Sequence, residues 1–284
     1  MMSQLRSDAV EPLPSVEGAL SFIVPQDTKP VFHSTALTGG EAKIFFELED
    51  VSVPVADMRP IAENLSVDTQ GFELLHHETQ VDDLYDDAAV DSTYHAEVED
   101  ILRERFDATH VAIFDVTRRS DDTGGARNPD GLRGPATRVH VDYTVASGPQ
   151  RAKDVLGEAE YERLIEAGAR ILQVNVWRPI SGPVKRSPLA LADASSIATD
   201  ELVATDQVFA DRVGEIYQVA PGAGQRWYYA SEIDRDEILL IKGWDSIDDG
   251  RAHFTPHGAF ELQETVPDAP PRESIEVRTF VIIE

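Results

Sequence analysis

The sequence predicts an α+β fold of the mainly β type, in which strands form a barrel or sandwich and helices pack outside it. Three observations lead to this class. The last third of the chain consists of short apolar runs separated by glycine, proline or charged residues, a pattern typical of strands. Helical periodicity is confined to two segments. Neither a fixed-period repeat nor a linker divides the 284 residues, so we expect a single domain over residues 1–284.

The elements follow from local patterns along the chain. Residues 1–20 are polar and contain proline, which indicates an N-terminal arm. Apolar residues recur at helical spacing over residues 81–105, with a break near Asp91, and again over residues 148–168. Residues 120–137 contain four glycines and two prolines, which predicts a long exposed loop. Strands are predicted at residues 20–24, 43–49, 71–77, 110–119, 171–177, 215–221, 225–233, 237–244, 253–262 and 274–283.

Charge and composition exclude several classes of function. The chain has 52 acidic and 25 basic side chains, a net charge of −27, which argues against nucleic acids and anionic membranes as partners. It has no cysteine, so disulfides, thiolate metal ligands and cysteine nucleophiles are excluded. No secretory signal or membrane-spanning stretch is evident. We therefore expect a cytoplasmic protein that acts on a small molecule.

Two potential metal ligands lie two residues apart in RVHVDYT, residues 138–144. In a strand, side chains at i and i+2 project to the same face, so His140 and Asp142 converge. Two histidines and one carboxylate on one face of an octahedron form the Fe(II) site of non-haem oxygenases. His253 and His257, in RAHFTPHGAF, are both candidates for the second histidine, and spacing does not choose between them.

A further polar pattern lies in PRESIEVR, residues 271–278, at the start of the final strand. Arg272 and Arg278 share one face of that strand with Ser274 and Glu276. Two arginines on one face of a barrel strand are unfavourable unless anions pair with them, and a guanidinium group matches a carboxylate in geometry. Their partners are then either acids of the same chain or a bound carboxylate.

From about residue 40 to its end, the chain resembles one family in an ordered set of motifs. The motifs are HVDYT with GPQR, NVWRPISGPV with PLALAD, RWYYAS, DEILLIKGWDS, GRAHFTPHGAF and APPRESIEVR. The family comprises bacterial cephamycin 7-hydroxylase components and fungal natural-product hydroxylase/desaturases, which are Fe(II)/2-oxoglutarate-dependent oxygenases. The resemblance implies a double-stranded β-helix (jelly-roll) core with flanking helices, and Fe(II), 2-oxoglutarate and O₂ as cofactor and cosubstrates.

Carried over by position, the resemblance assigns the iron ligands to His140, Asp142 and His257, and leaves His253 as a neighbour. Gly258 stands where the family usually has threonine. The aspartate that the family usually carries between its GPV and PLA segments is missing, because residues 185–187 are Lys-Arg-Ser here.

The resemblance also implies a basic residue on the final strand that holds the distal carboxylate of 2-oxoglutarate. Arg272, fifteen residues after His257, is the first candidate, and Arg278 is the second. Asn175 is a further candidate for cofactor binding, because polar residues in a buried strand need partners. Trp177, Arg178 and Tyr228 are candidates for contact with the substrate. Residues 120–137 are expected to act as a lid over it.

The predicted reaction is hydroxylation or desaturation of a small natural product or amino-acid derivative, coupled to conversion of 2-oxoglutarate and O₂ into succinate and CO₂. Asp142 occupies the position that a halogenase would leave open for halide, so halogenation is not expected. Two alternatives remain. One is a cupin-like Zn²⁺ or Mn²⁺ hydrolase or isomerase that uses the same three ligands. The other is a non-catalytic accessory protein acting beside a biosynthetic partner enzyme. A homo-oligomer is compatible with each.

Overall fold

The computed structural model describes residues 12–38, 42–129, 131–263 and 268–284, and strands dominate these ranges. Eleven of the described strands form one sheet, five form a second, and two form a hairpin. The strands in chain order are β1 (Ser15–Ile23), β2 (Val31–His33), β3 (Lys43–Ile44), β4 (Leu48–Asp57), β5 (Phe72–His76), β6 (His110–Ser120), β7 (Ala126–Asn128), β8 (Gly131–Arg133), β9 (His140–Val141), β10 (Arg170–Pro179), β11 (Leu189–Ala192), β12 (Leu202–Val208), β13 (Val213–Val219), β14 (Trp227–Tyr229), β15 (Glu237–Asp245), β16 (His257–Ala259), β17 (Glu261–Leu262) and β18 (Glu273–Ile283).

The helices are fewer and shorter than the strands. They are α1 (Thr35–Thr38), α2 (Asp87–Ala89), α3 (His95–Phe106), α4 (Ser147–Leu156) and α5 (Glu158–Glu166), with a π turn at Val90–Tyr94 and 3₁₀ turns at Arg59–Asn64, Ala194–Ser196 and Thr199–Glu201. None of the helices in the described part of the chain has the length and apolar character needed to cross a bilayer. The large share of strand confirms the predicted mainly β class.

Both predicted helices are interrupted. The π turn at Val90–Tyr94 separates α2 from α3, close to the break expected near Asp91. The second helix ends at Gly157 and restarts as α5, because Gly157 has a φ of +88°, a backbone conformation that ends a helix and that glycine adopts readily.

Two loop predictions are corrected by the strands. The predicted arm over residues 1–20 is wrong for its last six residues, which form β1; residues 1–11 lie outside the described part. Leu20, Phe22 and Ile23 of β1 are buried, and the strand pairs with β4 along its full length. The exposed loop predicted over residues 120–137 contains the hairpin β7–β8, and Ala126 and Asn128 in that hairpin are buried.

The five-stranded sheet has an apolar outer face and a polar inner face, and this alternation positions the site. On β10 and β18, Val174, Val176 and Val277 pack outward against the residues of α3. The side chains between them, including Asn175 and Arg278, therefore point inward toward the eleven-stranded sheet. Apolar residues of β10, β15 and β11 meet between the two sheets in one core.

A partly buried charge cluster fixes one end of the five-stranded sheet. It consists of Asp68, Arg170, Lys242 and Asp245. The Lys242 ammonium is fully buried and donates hydrogen bonds to Asp68 at 2.9 Å and to Asp245 at 2.8 Å. Arg170 pairs with the same two carboxylates. Because every charge has an opposite partner, the cluster ties the turn before β5 to β10 and β15.

Candidate metal centre

The two residues of the HxD motif lie at the centre of the eleven-stranded sheet. β9 is short, and it pairs with β16 on one side and β13 on the other. In this register His140 lies directly opposite His257. Directly opposed residues on antiparallel strands project to the same face. Strand pairing therefore places the His257 side chain next to that of His140.

The ligand atoms of His140, Asp142 and His257 all lie within 4.8 Å of one another. His140 Nε2 is 3.5 Å from Asp142 Oδ1, and the two imidazole rings have centroids 4.6 Å apart. This is the separation at which three side chains can share one ion. They form the one group of three potential ligands of this kind found in the described ranges.

Main-chain carbonyls fix the tautomer of both histidines. His140 Nδ1 is 2.8 Å from the Arg138 carbonyl, and His257 Nδ1 is 2.9 Å from the Thr255 carbonyl. Each Nδ1–H therefore donates to a carbonyl, which leaves each Nε2 as a free lone pair for a metal. Burial, together with the neighbouring His140, lowers the pKa of His257, which keeps this ring in its neutral, ligating form.

His253 lies apart from this group. Its ring packs edge-on against Trp244 and Phe254, with centroids 6.3 and 5.4 Å away. Gly258, which stands where the family usually has threonine, lies close to β9: a Cβ there would be 3.3 Å from the Arg138 carbonyl oxygen and the Val139 Cα. Glycine therefore fits without displacing the ligand strand.

Asp142 is held ionised and oriented by residues of the five-stranded sheet. Burial of the carboxylate opposes ionisation, but Arg278 and the two histidines outweigh it, so the pKa of Asp142 lies well below its ordinary value. Asn175 donates a hydrogen bond of 2.6 Å to Asp142 Oδ2, and Gln173 donates one of 2.6 Å to Asn175. With Oδ2 engaged, Oδ1 faces His140. Asn175, a predicted cofactor contact, thus binds the predicted iron ligand.

Arg278 and Arg272 occupy different electrostatic environments. Arg278 is surrounded by carboxylates: it lies 2.8 Å from Asp115, 2.6 Å from Glu276 and 3.7 Å from Asp142. These acids are the cause of its pKa being raised well above the ordinary value against the effect of burial. Its charge is therefore already compensated within the chain.

Arg272 is buried without such compensation. Its side chain is 2% exposed, and its Nε and Nη2 have no acceptor among the residues that the structure describes. Burial, and then the nearby Arg119, lower its pKa to about 10. Its guanidinium lies 5.9 Å from the centroid of the Trp177 ring. A buried guanidinium with unused donors, next to the second cation Arg119, forms a site for an anion.

The structure separates the predicted substrate contacts from the cavity. Arg178 projects from the opposite face of β10 to Asn175 and donates to Tyr94 at 3.0 Å and to the His77 carbonyl at 2.8 Å. The strand alternation directs Arg178 outward, and it is not among the residues that line the cavity, so its contact with substrate stays a prediction. Trp177 and Tyr228 pack in the core between the sheets.

A cavity of about 930 Å³ opens beside the metal centre, lined in part by His140, Asp142 and Arg278. Residues 132–137 form part of its wall, and the β12–β13 turn forms another. Arg138 and Gln218 are among the polar residues of its lining that sequence reasoning missed. Arg138 could have been found from the i, i+2 alternation that leads to His140; Gln218 has no local signal.

Comparisons with known proteins agree with this geometry. A family model described as "Oxidoreductase/YMDC permease-like domain" matches residues 20–282. The chain is 31% identical to the hydroxylase/desaturase efuI of Hormonema carpetanum, over 82% of this chain and 83% of that protein. It is 32% identical to the hydroxylase/desaturase CTB9 of Cercospora beticola, over 83% of this chain and 78% of that protein.

A solved structure shows the same architecture. The iron and alpha-ketoglutarate-dependent endoperoxidase NvfI is 28% identical and superimposes with a TM-score of 0.80, covering 94% of this chain and 97% of that one. This likeness confirms the predicted jelly-roll core. The chain therefore belongs to the Fe(II)/2-oxoglutarate-dependent dioxygenase family that includes the fungal hydroxylase/desaturases, and it is an enzyme that uses Fe(II), 2-oxoglutarate and O₂.

Proposed function

We propose that His140, Asp142 and His257 hold Fe(II) in this hydroxylase/desaturase. The observation that carries the proposal is the convergence of three ligand atoms within 4.8 Å, with both Nδ1–H groups tied to main-chain carbonyls. Such a set occupies one face of the metal and leaves positions for 2-oxoglutarate and O₂. When bound, iron supplies an oxidant, generated as 2-oxoglutarate becomes succinate and CO₂, that removes hydrogen from a substrate C–H bond.

We propose that Arg272 binds the distal carboxylate of 2-oxoglutarate. Its Nε and Nη2 are buried and unpartnered, so a carboxylate would satisfy donors that the chain leaves unused. Arg278 has three carboxylates around it and is suited to fixing Asp142. Asn175 is suited to the same task, because it already donates to Asp142.

The substrate proposed for the cavity is a small natural product or amino-acid derivative. The resemblance to cephamycin 7-hydroxylase components and fungal natural-product hydroxylase/desaturases supports this range. Residues 132–137 line the cavity, which supports a lid function for the segment 120–137. A single domain over residues 1–284, a cytoplasmic location and a homo-oligomer or biosynthetic partner enzyme stay predictions.

The experiment that tests the iron site measures Fe(II) binding without oxygen, then O₂ uptake and succinate formation from 2-oxoglutarate. His140→Ala and Asp142→Ala are expected to lose both binding and turnover. His253→Gln is the matched control, since that histidine lies outside the cluster. A protein that binds metal but never converts 2-oxoglutarate would support the hydrolase or isomerase alternative. Pathway activity that survives the ligand substitutions would support the accessory alternative.

The two arginines are separated by their effect on 2-oxoglutarate. Arg272→Gln is expected to raise the KM for 2-oxoglutarate about ten- to hundredfold, as the loss of a charge-assisted hydrogen bond does. Arg278→Gln is expected to weaken Fe(II) binding instead. It removes the cation shared by three carboxylates, so Asp115 and Glu276 would repel the ligand Asp142. The reverse pattern would assign the cosubstrate to Arg278.

A further inference from the structure

Two polar side chains beside the iron ligands have unused hydrogen-bonding groups. Arg138 precedes His140 by two residues, so the two side chains share a face, and the Arg138 Nε is buried without an acceptor within the described ranges. Gln218 lies opposite His140 on β13 and is 1% exposed, and neither its amide oxygen nor its nitrogen has a partner there. Buried donors left unpaired are destabilising.

Most acids of the cavity already have partners, and Asp154 accepts from the Gln150 amide at 2.9 Å. Lys29 pairs with Asp206 and, at 2.6 Å, with Glu215. Asp115 pairs with Arg278 at 2.8 Å. Within the described part of the chain, no carboxylate lies within ion-pair distance of Arg138. Its charge is therefore uncompensated at the cavity wall, although the whole chain carries −27.

The surroundings of Arg138 hold it in place and provide apolar walls. Its guanidinium lies over the ring of Phe32, with the Cζ 4.4 Å from the ring centroid, a cation–π contact that fixes its orientation. Phe32, Phe209 and Ile216 line the same cavity. A ligand there meets a fixed cation, an amide and aromatic surface together.

We infer that Arg138 and Gln218 bind a carboxylate of the substrate, which makes the substrate an amphipathic carboxylic acid. The guanidinium fork matches a carboxylate, the Gln218 amide supplies a further donor, and the apolar walls take the rest of the molecule. The inference rests on the proposed iron site beside it. The carboxylate of 2-oxoglutarate is the other possible source of this anion, and we assign that cosubstrate to Arg272 in the facing sheet.

The test uses the full chain loaded anaerobically with Fe(II) and saturated with 2-oxoglutarate. Calorimetry measures binding of two acids, 3-phenylpropionate and hexanoate, and of their uncharged primary amides. The acids are expected to bind about ten- to hundredfold more tightly than the amides, the ratio that a charge-assisted hydrogen bond gives. Arg138→Gln and Gln218→Leu should remove or reduce this preference. Arg103→Gln, which changes an exposed arginine of α3, should keep it.

Binding of 2-oxoglutarate and its slow conversion to succinate without substrate are measured in each variant. Urea unfolding shows whether each variant is folded, and loss of the acid preference in a folded Arg138→Gln protein supports the inference. Equal binding of acids and amides by the wild type, or no binding of the acids at millimolar concentration, overturns it. A rise in the KM for 2-oxoglutarate in Arg138→Gln also overturns it, because the anion held there is then the cosubstrate. Loss of succinate formation in the wild type contradicts the iron proposal and leaves the calorimetric comparison valid.

Discussion

Substitution of Asn175 by alanine is expected to weaken Fe(II) binding without any change to a metal ligand. Asn175 is fully buried and donates a 2.6 Å hydrogen bond to Asp142 Oδ2. A hydrogen bond to a charged group contributes about 1.5–3 kcal/mol. Removing it frees the carboxylate to rotate, and it leaves the Gln173 amide, whose Oε1 is already unpartnered, with no partner for its nitrogen.

The expected loss of Fe(II) affinity is about ten- to hundredfold, since about 1.4 kcal/mol corresponds to a factor of ten and outer hydrogen-bond partners of metal ligands typically have effects of this size. The assay is an anaerobic Fe(II) titration against a competing chelator. Urea unfolding of the metal-free protein measures the accompanying change in stability. Asn175→Asp adds a second carboxylate next to Asp142 and should have a larger effect.

Asn128→Ala provides the matched control. Asn128 is also buried, but its amide bonds only main-chain groups of the β6–β7 region, at 2.8 Å to Arg118 N and O. Its loss should reduce the free energy of unfolding and leave Fe(II) affinity intact. Iron affinity within twofold of wild type in Asn175→Ala, or an equal loss in Asn128→Ala, would refute the positioning role of Asn175.

Three further predictions concern the scaffold. Arg178→Met should reduce the free energy of unfolding by about 3 kcal/mol, because it leaves buried carbonyls unpaired. The KM for 2-oxoglutarate should stay unchanged, and a raised KM would show that Arg178 contributes to the binding pocket. The cationic partners of Asp68 and Asp245 hold the pKa values of both carboxyl groups below the ordinary range despite burial. The stability that these ion pairs provide is therefore complete above about pH 4 and is lost as the pH falls below that value. Between pH 6 and pH 2.5, the Tm of Asp68→Asn should fall less than the Tm of the wild type. Gly243→Ala would place a Cβ 1.7 Å from the Gln173 amide oxygen and should destabilise the fold by about 1–3 kcal/mol, measured by urea unfolding.

Strand alternation made part of the site predictable from sequence. It identified His140 and Asp142 as a converging pair, because the relation between neighbours on one strand is local. It could not choose between His253 and His257, since that choice depends on which residue of β16 lies opposite His140. Pairing between segments more than 100 residues apart has no local signal in the sequence. The choice of His257 therefore depended on the resemblance to the oxygenase family.

The same alternation separates the predicted pocket residues into two groups. Asn175 and Arg178 both read as polar residues in a buried strand, yet they lie on opposite faces of β10. Tyr143, next to Asp142, packs with the apolar residues around Trp244, and burial raises its pKa to about 12. A polar residue in an apolar run therefore indicates a buried hydrogen-bonding partner. The face of the strand on which the residue lies decides whether that partner belongs to the site.

The net charge of the chain argued against polyanionic partners, but it could not predict which charged side chains lie in the interior. The surplus acids are mostly at the surface, while several buried arginines have unused donors, among them Arg272 beside β18 and Arg138 beside β9. These two lie on different sheets. A reaction that needs a dicarboxylate cosubstrate and, as we infer, an acidic substrate at one iron requires two separate cationic sites, so that the two anions do not compete. Facing sheets that each supply one arginine meet that requirement, and total charge does not reveal it.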